Sequence, residues 1–200
     1  MTVYCATGNP GKLREFRLAA DVAGIRVEPL PGLADIPPCE ETGATFEANA
    51  ILKAEYYGAH TPGLLFADDS GLEVDALGGA PGVYSARFAG TGATDEANNR
   101  LLLEKMRGIE DRAARFVCVI ALVEGQRLLA KFRSTVEGSI LEEPRGANGF
   151  GYDPLFYFEP FDCSFGEVAP ERKLMVSHRG AALHNLFQNL ASGTIKTTLL

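Results

Sequence analysis

Two adjacent aspartates, Asp68 and Asp69, followed by Ser70 and Gly71, have the greatest capacity for chemistry in this chain. They follow Leu64-Leu65-Phe66-Ala67, an apolar run that predicts a buried strand. Neighbouring carboxylates at a strand end repel each other unless a cation or hydrogen-bond donors offset the charge. Gly71 would allow a sharp turn or the close approach of a ligand. Glu73 and Asp75 alternate, so an extended segment puts them on one side. Gly78, Gly79, Pro81 and Gly82 then predict a loop without regular structure. Acids at the carboxyl end of a strand, ahead of such a loop, suggest a metal-dependent site on an α/β scaffold. The competing reading is an acidic turn followed by a surface loop.

Three other stretches could join such a site. Thr7-Gly8-Asn9-Pro10-Gly11-Lys12 reads as a turn between a short strand, Val3 to Ala6, and a helix. That helix carries Leu13, Phe16 and Leu18 to Ala20 at helical spacing and stops at Gly24. A polar glycine loop opening a helix aims backbone amides at an anion. The spacing is not that of a Walker A loop, since Leu13 stands where Ser or Thr is needed, and a plain turn competes with phosphate contact. Glu40 and Glu41 lie in a loop before a helix that starts at Thr45 and carries Phe46, Ala50, Ile51 and Ala54 as its stripe. Lys53 and Asn49 lie one turn apart on that helix and can share a face. The alternative for Lys53 is a solvated surface lysine. The third stretch, residues 145–154, is a glycine-rich loop with aromatics, and Ser177-His178-Arg179 opens a C-terminal helix with Ser177 as its N-cap.

The remaining elements are those needed to position these groups. Ile25-Arg26-Val27 predicts a strand, residues 29–38 an irregular segment, and Thr94 to Met106 a helix ended by Gly108. Arg115 to Val123 and Leu128 to Val136 flank a short turn and predict a long hairpin. Leu155 to Phe158 reads as a strand and Glu167 to Leu174 as helical. Together these predict a mixed-sheet α/β protein, one domain over residues 1–200 with two lobes and a cleft. The 200 residues, 46% hydrophobic and 22% charged, fit an ordinary globular chain. A net charge of −7 without a basic run argues against nucleic acid as the main partner, but allows a small phosphate ligand. Cys5, Cys39, Cys118 and Cys163 are scattered and form no CxxC pair, which argues against a zinc site and fits a reducing cytoplasm. The start lacks a signal-peptide pattern, and no apolar run reaches transmembrane length, so no membrane is expected.

Five motifs occur in order: TGNxxK, ETGxTFxxNAxxKA, ADDSGLxVDALxGxPGxYSARxAG, FGYDPxF and KxxxSHRxxAL. Together they closely resemble the inosine/xanthosine triphosphate pyrophosphatases, over nearly the whole chain. The chain departs from the pattern in the linker Glu159 to Arg172, where Arg172 replaces an expected acid just before the matching lysine.

The resemblance implies an elongated mixed sheet with flanking helices and two lobes around a nucleotide-binding cleft. It also implies a homodimer and Mg²⁺-dependent hydrolysis of noncanonical purine nucleoside triphosphates (ITP, dITP, XTP). Cleavage falls between the α- and β-phosphates and releases a monophosphate and pyrophosphate. By the same resemblance, Asp69 is the catalytic acid and binds metal with Glu41. Thr7, Gly8, Asn9, Pro10, Gly11, Lys12 and Lys53 take the triphosphate, and Ser70 contacts phosphate or ribose. Phe150, Gly151, Tyr152, Asp153, His178 and Arg179 lie near the base, with Arg179 or local amides donating to the purine C6 oxygen, and Lys173 is a substrate-binding lysine. Asp68 is expected to be a structural acid held by backbone donors, Glu40 an exposed loop acid, and Glu73 and Asp75 water-mediated metal contacts or loop stabilisers.

Overall fold

Apolar strands alternating with half-apolar helices must bury one face of each, and here they do so on a mixed sheet. The computed structural model describes residues 1–61 and 63–195. Seven strands are β1 (Thr2–Cys5), β2 (Arg26–Pro29), β3 (Leu64–Val74), β4 (Ala113–Glu124), β5 (Arg127–Ile140), β6 (Phe156–Phe158) and β7 (Cys163–Ser164). They form one sheet in the order β2-β1-β3-β4-β5-β6-β7. The helices are α1 (Pro10–Ala23), α2 (Phe46–Gly58), α3 (Asp95–Lys105), α4 (Pro170–Leu174) and α5 (His178–Ala191). The mixed α/β architecture expected from the sequence is the one found. Among the described residues, no helix is long and apolar enough to cross a membrane.

The chain divides into two compact units. The first comprises Met1–Asp69, Cys118–Ser134 and the segment from Arg179 onward. Here β1 pairs in parallel with β2 (Val3 opposite Val27) and with β3 (Cys5 opposite Phe66). Parallel strands are buried on both faces, so β1 and the start of β3, Leu64 to Ala67, read as apolar runs. Phe66 meets Phe16 of α1 and Phe187 of α5 edge to face, with centroids 5.0 and 6.3 Å away.

The second unit comprises Ser70–Val117 and Thr135–His178. Its pairs are antiparallel, Ile140 opposite Phe156 and Phe158 opposite Cys163. Leu72, Leu102, Met106, Ile140, Phe156 and Phe165 form its buried centre.

Several boundaries differ from expectation. The strand carrying the aspartates does not end at Asp68 but runs on through Asp68-Asp69-Ser70-Gly71 to Val74. Cationic side chains offset the paired carboxylates, so nothing forces the chain to turn there. Gly71 is a packing residue: a Cβ would stand 2.3 Å from Ser85 Oγ and 2.7 Å from the Gly82 carbonyl. The loop after it contains 3-10 turns at Asp75–Leu77 and Gly82–Arg87. Pro10, Gly11 and Lys12 belong to the first turn of α1, because Asn9 caps the helix and Pro10 suits its first position. Glu167 to Leu174 is not one helix: a 3-10 turn at Phe165–Glu167 precedes α4, which starts at Pro170.

Candidate active site

In the first unit the chemistry-bearing residues form two linked ion arrays. Asn9 Oδ1 accepts from the Lys12 amide at 3.0 Å, which anchors Lys12 at the start of α1. The Lys12 ammonium reaches Asp68 on β3, 3.0 Å from Oδ2. Arg179, at the start of α5, lies 3.5 Å from the same carboxylate through Nε, and its Nη1 lies 2.5 Å from Glu15 of α1. Burial alone would push the Asp68 carboxyl up. Lys12, Arg179 and Lys53 outweigh that and hold it well below the usual carboxylate range.

The second array centres on Lys53. Its ammonium lies 2.9 Å from Asp69 Oδ1 and 3.2 Å from Glu41 Oε1. Lys53 is 9% exposed, so the solvated-lysine reading does not hold. Burial pulls its pKa down, but the carboxylates of Asp69, Asp68 and Glu41 more than reverse this, and the group stays charged. Asp69 differs from its neighbour, because burial raises its pKa more than Lys53 lowers it. Its Oδ2 is buried and has no hydrogen-bond partner. A buried carboxylate oxygen left without a partner is costly unless something binds it.

Local structure explains how Glu41 arrives there. Thr45 caps α2 by accepting from the Ala48 amide at 3.1 Å. Asn49, one turn into the helix, reaches back and accepts from the Gly43 amide at 2.8 Å. A Cβ on Gly43 would stand 2.6 Å from Asn49 Oδ1, so only glycine lets the Glu41-Thr42-Gly43 strand of loop lie this close to α2.

In the second unit, Lys173 and Asp153 form a buried pair, Nζ to Oδ2 2.5 Å. The same Oδ2 accepts from the Phe150 amide at 2.9 Å, and the Lys173 ammonium stands 5.0 Å from the Phe150 ring centroid. Tyr152 lies in the core, donating to the Ser85 carbonyl at 2.9 Å. His178 is buried and stacks on Phe116, with centroids 4.8 Å apart and planes 14° apart.

The structure therefore groups Lys12, Glu41, Lys53, Asp68, Asp69 and Arg179 in one unit, and Phe150, Gly151, Asp153 and Lys173 in the other. Asp68 was expected to be satisfied by backbone donors, but its partners include the charged side chains of Lys12 and Arg179. Glu73 and Asp75 belong to neither group. Both face Arg115, which grips Asp75 at 2.7 and 2.9 Å and lies 3.8 Å from Glu73, so they stabilise the strand and loop. Arg172, the departure from the motif, lies over the Phe161 ring at 4.0 Å. Sequence reasoning missed Glu15. Its signal was available: it lies one helical turn after Lys12, on the face that buries Phe16 and Ala20.

Asp69 and Glu41 both meet the Lys53 ammonium, and their carboxylate oxygens are of the kind a hard cation takes. No cluster of three or more His, Cys, Asp or Glu with metal-binding geometry occurs among the described residues. Mg²⁺ asks for less, since it typically takes one or two carboxylates and fills its shell with water and substrate phosphates. The donor set and the unpartnered Oδ2 fit that ion.

The profile of the Ham1 family matches residues 3–189. The chain belongs to the Ham1 family. Among curated relatives of this Ham1-family chain is a dITP/XTP pyrophosphatase of Acidobacterium capsulatum, 50% identical over 199 residues, covering 95% of this chain and 98% of that protein. Another dITP/XTP pyrophosphatase, from an Exiguobacterium species, is 50% identical over 186 residues, with coverage of 93% and 95%. Among solved structures, a HAM1 protein from Coxiella burnetii superposes with a TM-score of 0.86 at 40% identity, covering 96% of this chain and 99% of that one. The Staphylococcus aureus Ham1 protein gives 0.85 at 41% identity, with the same coverage.

Proposed function

We propose that this Ham1-family chain hydrolyses noncanonical purine nucleoside triphosphates (dITP, XTP and ITP) to the monophosphate and pyrophosphate. The names of the relatives support the reaction and its substrate class. The observation that carries the site assignment is the buried, unpartnered Asp69 Oδ2 beside Lys53 and Glu41.

Asp69 and Glu41 would hold Mg²⁺, which when bound lowers the pKa of a coordinated water and offsets charge on phosphate oxygens. The Asp69 carboxylate would accept the proton of the attacking water. Lys53 and Lys12 supply fixed positive charge to the triphosphate, and each exchanges part of its carboxylate contact for phosphate oxygen. Phe150 offers its ring to the base, with Asp153 and Lys173 holding that segment. Arg179 keeps Asp68 ionised, and through it the charge balance around Lys12. The scattered free thiols of Cys5, Cys39, Cys118 and Cys163 suit a reducing cytoplasm. A homodimer is the assembly we expect from the family resemblance.

The test is pyrophosphate release from ITP, with Mg²⁺ and then with excess chelator, for the wild type and Asp69→Asn. Release should require the metal. Asp69→Asn should lose turnover by at least about a hundred-fold while still binding nucleotide, because size is kept and charge is removed. Turnover of the variant within a few-fold of the wild type would end the assignment.

A further inference from the structure

The loop that presents Phe150 is held from both sides, and one side is a helix to which no role has been given. Gly151, in the left-handed region at φ 62°, donates its amide to Asp95 Oδ2 at 2.6 Å. Its carbonyl accepts from Asn99 Nδ2 at 3.0 Å. Asp95 and Asn99 are four residues apart on α3 and so share one face of the helix. One pair of side chains thus grips both polar groups of a single glycine. On the other side, Asp153 holds the Phe150 amide. The ring of Phe150 therefore projects from a backbone fixed at two consecutive residues.

We infer that Asp95 and Asn99 are positioning residues, which set the orientation of Phe150 for the nucleobase. Helix α3 is a firm support. Thr94 caps it through the Ala97 amide, and Asn98 ties it to the chain segment beside it, accepting from the Ala89 amide and donating to the Ala86 carbonyl. Stability alone does not explain Asn99. Asn is a poor helix former in mid-helix, and here its Oδ1 is buried without a hydrogen-bond partner. A functional side chain held by a rigid element keeps a productive geometry better than one on an unsupported loop.

This inference rests on Phe150 being the stacking platform, and the experiment separates the two. Dissociation constants are measured for inosine monophosphate, which has a base, and for tripolyphosphate, which has none. The proteins are the wild type, Phe150→Ala, Asn99→Ala, Asp95→Ala and Asp95→Asn, each also followed by thermal unfolding. Asn99→Ala and Asp95→Ala should weaken inosine monophosphate about five- to ten-fold, the lower part of the range for a stacked base, and leave tripolyphosphate within about two-fold. Asp95→Asn keeps an acceptor oxygen and should bind as the wild type does. If Phe150→Ala leaves inosine monophosphate binding unchanged, the platform falls and the clamp falls with it. If Phe150→Ala weakens binding but both α3 alanine variants do not, the clamp alone is overturned. Equal weakening of both ligands with a lowered melting temperature would make α3 a structural support and overturn the positioning role.

Discussion

Arg179 shows how far a residue's neighbours decide its role. It is 2% exposed, lies between Glu15 and Asp68, and burial of its charge is offset by those two carboxylates. A guanidinium used this way holds two acids in place. The expectation that it donates to the purine C6 oxygen makes a different prediction, and the two can be separated. Arg179→Ala removes a guanidinium shared by two buried carboxylates, Glu15 and Asp68, and breaking a buried ion pair typically costs about 3–5 kcal/mol. We expect a loss of that size in urea unfolding, together with lower kcat/KM on both ITP and ATP. A loss confined to ITP, with stability unchanged, would restore the base contact and remove the ion-pair role.

At the scale of elements, the site depends on how closely a loop can approach a helix. Glu41 reaches Lys53 because the Gly43 amide is bonded to Asn49 and no side chain stands between loop and helix. In Gly43→Ala the new Cβ would meet Asn49 Oδ1 at 2.6 Å and Ala48 Cβ at 2.7 Å. The loop must move away, and it carries Glu41 with it. Displacement of a catalytic group by about 1 Å can cost about a hundred-fold. We expect kcat for ITP to fall about ten- to hundred-fold and the Mg²⁺ concentration for half-maximal rate to rise, with little change in melting temperature. Wild-type metal dependence in Gly43→Ala would show that Glu41 is not a ligand.

At the scale of the whole molecule, β3, β4 and β5 each contribute residues to both compact units. We propose that the units unfold together, since neither keeps its strands intact without the other. Phe16 is buried in the first unit, and Phe165 packs among Phe116, Phe156 and Phe158 in the second. Phe16→Ala and Phe165→Ala should each cost about 3–5 kcal/mol, as for other large-to-small core changes. Both should lower the midpoint of one calorimetric transition. Two transitions, each moved by only one of the substitutions, would show two independent domains.

Much of this molecule is legible in its amino-acid sequence. Apolar runs place the first strand and the long hairpin, and helical spacing places α2 and α3, because each must bury its apolar side chains. Thr45 and Thr94 mark their helix starts by a local rule that needs no distant contact. The acidic pair, Lys12 and Lys53 also stand out, by residue type and motif. Pairing does not. Whether Asp68-Asp69 ends a strand or lies inside one depends on Lys12, Arg179 and Lys53, which are remote in sequence and arrive only through packing. The same holds for Asp95 and Asn99, whose partner Gly151 lies more than fifty residues on. Sequence by itself decides which groups can ionise or cap. Tertiary structure decides which charge meets which, because a buried carboxylate takes its protonation state from its neighbours in space.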